Sequence, residues 1–89
     1  MTLDDFEYVI PGKTVVEVYT ETGFMENTRR EFGYAGGIYQ NNDLDDILHR
    51  YRRYAEAKIY RMEVREKRLK VYFIRDEHGF LRNKYGKEL

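Results

Sequence analysis

The sequence predicts an α+β domain: a small antiparallel sheet of four to five strands with one helix packed on a face, in the order β-β-(β)-α-β-β. Three observations carry this. Leu44, Ile47, Leu48, Tyr51 and Ala55 recur at spacings of three and four, which puts all five on one face of a 3.6-residue period. After them, Tyr60, Met62 and Val64 alternate with Arg61, Glu63 and Arg65, and Leu69, Val71 and Phe73 alternate with Lys70 and Tyr72. That is the period of two expected of half-buried strands. Ahead of them, two more apolar and β-branched runs flank a Pro-Gly turn.

Taken in order, Phe6 to Ile10 and Thr14 to Thr20 are the first two predicted strands, joined by Pro11-Gly12-Lys13, where Pro presets a turn and Gly permits positive φ. In the second strand Val16, Val18 and Thr20 share one side, and Val15, Glu17 and Tyr19 the other. Gly23 ends it. Thr28 to Tyr34 reads as a third strand or a short helical turn, the strand being preferred, and Gly36-Gly37 then breaks the chain.

The helix runs from Asp43 to about Ala55. Asn42 or Asp43 can cap it, Asp45 and Asp46 lie at the positive end of its dipole, and Arg50, Arg52 and Arg53 lie in its last turns. Ala57 to Val64 and Leu69 to Arg75 form a hairpin, although the connecting Arg65-Glu66-Lys67-Arg68 lacks the Gly, Asn or Asp that tight turns favour. Asp76-Glu77-His78-Gly79 reads as a turn, and Phe80 to Leu89 as a basic tail tied down by Phe80, Leu81 and Tyr85.

At 89 residues, with 42% hydrophobic and 16% aromatic residues, the chain is expected to form one domain, residues 1–89, around one core. It has no cysteine, which rules out disulfides and thiolate metal sites and suits a reducing compartment, so the cytoplasm is the expected location. No apolar run approaches the ~20 residues of a membrane helix, and the acidic N-terminus is unlike a signal peptide. Net charge is zero, but Met1 to Leu48 holds 10 acidic and 3 basic residues (−7), and His49 to Leu89 holds 13 basic and 6 acidic (+7). Such asymmetry marks a binding face or two halves that neutralise each other on folding, and the second is the commoner case.

Several chemistries drop out. Serine is absent as well as cysteine, so neither kind of nucleophile triad can be built. His49, one helical turn after Asp45, and His78, after Asp76 and Glu77, are the remaining general acid/base groups; an exposed His in a charged stretch is usually just solvated. Asn41, Asp43, Asp45 and Asp46 imitate the start of a calcium loop, but the sixth and twelfth places hold Asp46 and Arg52 instead of Gly and Glu. Gly33, Gly36 and Gly37 before a helix suggest a phosphate cradle, which the aspartates at the helix start would repel. No catalytic residue, metal or cofactor is assigned.

Two readings lead, with a weak toxin-like ribonuclease using His49 or His78 a distant third. The first is a non-catalytic protein-binding module of adaptor or inhibitor type, such as viruses and mobile elements encode. It would dock through Tyr34, Tyr39, Tyr54, Arg50 and Arg53, because nine tyrosines exceed what a small core uses and interfaces enrich Tyr and Arg. An edge strand could also pair with a partner or a second copy to give a homodimer. The second is nucleic-acid binding by the basic-aromatic half, with Arg61, Arg65, Lys67, Arg68 and Lys70 on phosphates and exposed rings on bases. The pI near 6.7 and the absence of common nucleic-acid motifs weigh against it. The Tyr- and Arg-rich ending, Arg68 to Tyr85, resembles in a diffuse way the small toxin ribonucleases of toxin–antitoxin systems. Those open with helices where strands are expected here, and no motif matches, so no residue is assigned from the resemblance.

Overall fold

The computed structural model describes residues 1–22, 31–34, 42–76 and 78–89. Its centre is a pair of strands from opposite halves of the chain: β1 (Val15–Thr22) and β5 (Arg68–Arg75) lie parallel, with Val16 opposite Leu69 and Thr22 opposite Arg75. On the far side of β1, β2 (Glu31–Tyr34) pairs antiparallel with its second half and the two-residue β3 (Asn42–Asp43) with its start. β4 (Ile59–Arg65) is antiparallel to β5, giving the order β2-β1-β5-β4 with β3 off the path. The fold is α+β with a helical layer on one face, as expected, but the sheet is mixed where an antiparallel one was expected. The chain crosses from the β3 edge to the opposite edge through its helical segment, and only then lays down β4 and β5, so β5 returns to β1 in the parallel sense.

That crossing is made by α1 (Leu44–Arg50) and α2 (Arg52–Glu56), not by one helix. Asp43 caps α1 by accepting from the Asp46 N–H at 2.9 Å. The break falls at Tyr51, whose backbone (φ −119, ψ 60) is not helical, although its N–H still reaches the Ile47 carbonyl. Arg52 bridges the break: its guanidinium donates to the Leu48 carbonyl at 2.8 Å and to both oxygens of Asp4 at 3.1 and 2.8 Å. Despite the break, Leu44, Ile47, Leu48, Tyr54 and Ala55 all turn inward.

The first predicted strand is absent. Leu3–Phe6 is a 3-10 turn and residues 7–10 continue in turns, with the Val9 and Ile10 N–H groups both bonded to the Phe6 carbonyl. The reason is local: Thr2 and Asp5 close a reciprocal cap, the Thr2 N–H donating to the Asp5 carboxylate at 2.9 Å and the Asp5 N–H to the Thr2 carbonyl at 3.1 Å. The Thr2 amide holds the Asp5 carboxyl below its usual range, against a smaller opposing effect of burial. A Thr-x-x-Asp spacing ahead of an apolar residue is the signal in the sequence that points to this cap. Pro11-Gly12-Lys13 therefore joins a turn to a strand. It is held to the helix start by the Leu44 and Asp45 N–H groups, which donate to Thr14 and Gly12, each at 2.9 Å.

The third predicted strand is present as Glu31–Tyr34; Thr28–Arg30 and the Gly36-Gly37 break lie outside the described residues. The hairpin forms where expected. The core lies between the helices and one face of the sheet: Val16 and Val18 of β1, Leu69, Val71 and Phe73 of β5, Leu3 and Leu81 are buried, and Tyr54 packs its ring 5.7 Å from that of Phe73. Of the three anchors expected in the tail only Leu81 is buried, since Phe80 and Tyr85 are exposed. Among the described residues no helix is long and apolar enough to cross a membrane, and no group of three or more His, Asp or Glu side chains could hold a metal ion.

Candidate docking surfaces

Alternation divides β1, β4 and β5 into two rows. The row facing the helices is core. The opposite row carries Glu17 and Tyr19 on β1, Lys70 and Tyr72 on β5, and Arg61, Glu63 and Arg65 on β4, with Glu17 opposite Lys70, Tyr19 opposite Tyr72, and Tyr72 opposite Arg61. The split predicted within β1 holds: Val16, Val18 and Thr20 are buried on the core side.

This outer row is a closed network. Tyr19 and Tyr72 stack with centroids 5.0 Å apart, and the Arg61 guanidinium sits 4.3 Å from the Tyr72 ring centre. Glu17, nearly buried, accepts from Arg68 at 2.9 Å and from the Tyr19 hydroxyl at 3.1 Å, with the Lys70 ammonium 3.9 Å away. Glu63 accepts from the Tyr72 hydroxyl at 3.0 Å and is paired with Arg65 at 3.3 Å. Burial and then the Glu63 hydrogen bond push the Tyr72 phenol up, since both disfavour a second negative charge there. Arg61, Arg65, Arg68 and Lys70, expected to track phosphates, are thus gathered at one place, with Lys67 at the hairpin tip. They surround two carboxylates and a tyrosine pair whose facing rings are already covered.

Of the residues expected to dock a protein, Tyr54, Arg50 and Arg53 have described side chains. Tyr54 is 2% exposed and belongs to the core, a correction to its expected place on the surface: it lies seven residues, two helical turns, after buried Ile47, and its ring packs against that of Phe73. Arg50 and Arg53 are exposed on α1 and α2; the side chain of Tyr34 and all of Tyr39 lie outside the described residues. His49 and His78 are exposed on different elements.

What the composition did not reveal is an apolar groove of about 620 Å³ between the N-terminal turns and the β4–β5 hairpin, lined chiefly by Met1, Phe6, Val9, Ile10, Met62, Val64 and Leu69, with Glu63, Lys67 and Arg68 as its charged members. Val9 and Val64 are each 74% exposed, and Met1 55%. The groove exists because the core row of β4 extends past the helices: Met62 is half covered and Val64 hardly at all. Apolar surface gathered in this way, as opposed to scattered, is the kind of surface that docking sites use. A smaller cleft of about 280 Å³, lined by Thr2, Asp4, Asp5, Glu56, Asn83, Lys84 and Tyr85, is mostly polar and charged in its lining residues.

No protein-family model matches the chain, and neither does any curated protein or any solved structure. The functional reading therefore rests on these two surfaces.

Proposed function

We propose that this protein is a small non-catalytic protein-binding module, of adaptor or inhibitor type, that captures its partner in the apolar groove between the N-terminal turns and the hairpin. The observation behind this is the pairing of Val9 and Val64, two large aliphatic side chains from distant parts of the chain, both mostly exposed on one concavity. Leaving them in water costs on the order of 1 kcal/mol each relative to burial, which a partner would recover on docking. Lys67 at the hairpin tip also lines the groove, and an acidic residue flanking the partner's apolar anchor would complement it. A cysteine-free chain of this kind suits a reducing compartment such as the cytoplasm.

Nucleic-acid binding is the second reading, favoured by the clustering of Arg61, Arg65, Arg68 and Lys70. Against it, Arg61 already lies on the Tyr72 ring, and Glu17 and Glu63 offset two of the four cations, so a stacking face is covered and half of the positive charge is met within the chain.

The test is affinity capture with the full chain and with Val9→Asp and Val64→Asp, against Arg53→Ala as a surface control. Loss of the captured partner in both groove variants, with unchanged melting temperature and retention in the control, is the expected result. In parallel, a labelled mixed-sequence oligonucleotide should not bind at about 50 mM salt; binding there that weakens roughly a thousandfold by about 200 mM would promote the second reading instead.

A further inference from the structure

Among the described residues β4 ends the sheet on its side. The two-residue turn Glu66-Lys67 leaves Arg65 and Arg68 as the closing pair of the hairpin, and in such a hairpin the closing pair exchanges both backbone bonds. Counting back, Glu63 and Arg61 do the same with Lys70 and Tyr72, so the N–H and C=O groups of Val64 and Met62 point away from β5. At its other end this outward edge is closed by Met1, whose carbonyl accepts from the Ile59 N–H at 2.9 Å. Between Met1 and the turn lies the run Tyr60 to Val64, with Met62 at its centre.

We propose that this run pairs antiparallel with the same run of a second copy, about a two-fold axis through Met62. The register sets Met62 against Met62 in a hydrogen-bonding position. Arg61 then lies opposite Glu63 of the second copy, and Glu63 opposite its Arg61, in the flanking positions where cross-strand side chains come closest. Moving the axis by one residue, to Glu63, would set Glu63 against Glu63 and Arg61 against Arg65, all like charges. Moving it to Val64 would oppose Met62 to Glu66, whose φ of 53 belongs to the turn. Charges on an edge strand usually prevent pairing; here their alternating sign repels a copy shifted by one residue and accepts an in-register one. Such a contact is isologous and closes on itself. It continues the sheet across two copies, keeps both helical layers on one side, and sets the two apolar grooves next to each other.

The inference uses the same end of the sheet as the docking reading but different atoms, the backbone edge and outer row of β4 in place of Val9. Sedimentation equilibrium of the full chain over about 1 to 100 µM should show a dimer whose population rises with concentration. Arg61→Glu alone and Glu63→Arg alone should each weaken it at least about tenfold, since each creates two like-charge pairs. Mixing the two variants in equal amounts should restore a dimer containing one of each, because every cross-strand pair is again of opposite sign. Circular dichroism of each variant checks that it is folded. A wild type that stays monomeric, reversals without effect, or a mixture that fails to recover would overturn the proposal. Val9→Asp should leave the dimer intact; dimer loss in that variant would overturn the β4 register, whereas an intact dimer with unchanged partner capture would sink only the docking reading.

Discussion

Single side chains here act mainly as ties between segments that have little regular structure of their own. Asp76 is the clearest: its carboxylate accepts from the His78 and Phe80 N–H groups, each at 2.9 Å, and from Arg82 Nε at 2.6 Å. The Phe80 amide first, and then Arg82 and the His78 amide, hold its carboxyl below the usual range, against a lesser opposing effect of burial. A carboxyl depressed in the folded state stabilises the fold above the ordinary aspartate range of about 4, and that stabilisation is lost as pH falls through the native value. Exchange protection at Phe80, Asn83 and Leu89, whose amides hold the last segment together, should therefore fall selectively below about pH 4. Asp76→Ala should reproduce the loss at neutral pH; unchanged protection in that variant would mean that buried Leu81 alone anchors the segment. Tyr54 shows why residue-level function is hard to read in advance. A tyrosine beside an apolar stripe is equally at home in a core or an interface, and here packing against Phe73 of β5 decides which.

Among the elements, the hairpin turn is under the most local strain. Glu66 and Lys67 both have positive φ, 53 and 65, a region that costs a residue with a side chain roughly 1 kcal/mol or more and that Asn and Gly enter readily. The connection Arg65-Glu66-Lys67-Arg68 contains no turn-forming pair, yet the hairpin closes, because Val64 opposite Leu69 and Met62 opposite Val71 set the register by their row. Glu66→Asn with Lys67→Gly should relieve the strain and raise the melting temperature by several degrees, taking about 4–8 °C per kcal/mol for a domain of this size. No change by calorimetry would mean that the turn adopts another conformation. Helix and hairpin were legible because each announces itself within about fifteen residues by period, caps or alternation. The N-terminal segment was misread because its Phe, Tyr, Val and Ile look like a strand, while the Thr2–Asp5 cap selects a turn.

In the whole molecule, the −7 and +7 halves meet across β1 and β5 and across the N-terminal turn and α2. Glu17 contacts Arg68 and Lys70, and Asp4 contacts Arg52. These pairs join the acidic half to the basic half, so screening them should cost stability. Raising salt from about 0.05 to 1 M should lower the unfolding free energy in urea by on the order of 1 kcal/mol, the scale of a few partly exposed pairs. Stability that rises with salt instead would mean that repulsion within each half dominates. The sequence by itself determined the class of fold, the helical segment, the hairpin and the two rows of β1, since each follows from patterns a few residues long. Only the tertiary structure decided that β1 and β5 run parallel, that Tyr54 is core, that the cations close around Glu17 and Glu63, and that Val9 and Val64 share a groove. Each of these depends on which distant segments the helical crossing brings together, and no local periodicity encodes that.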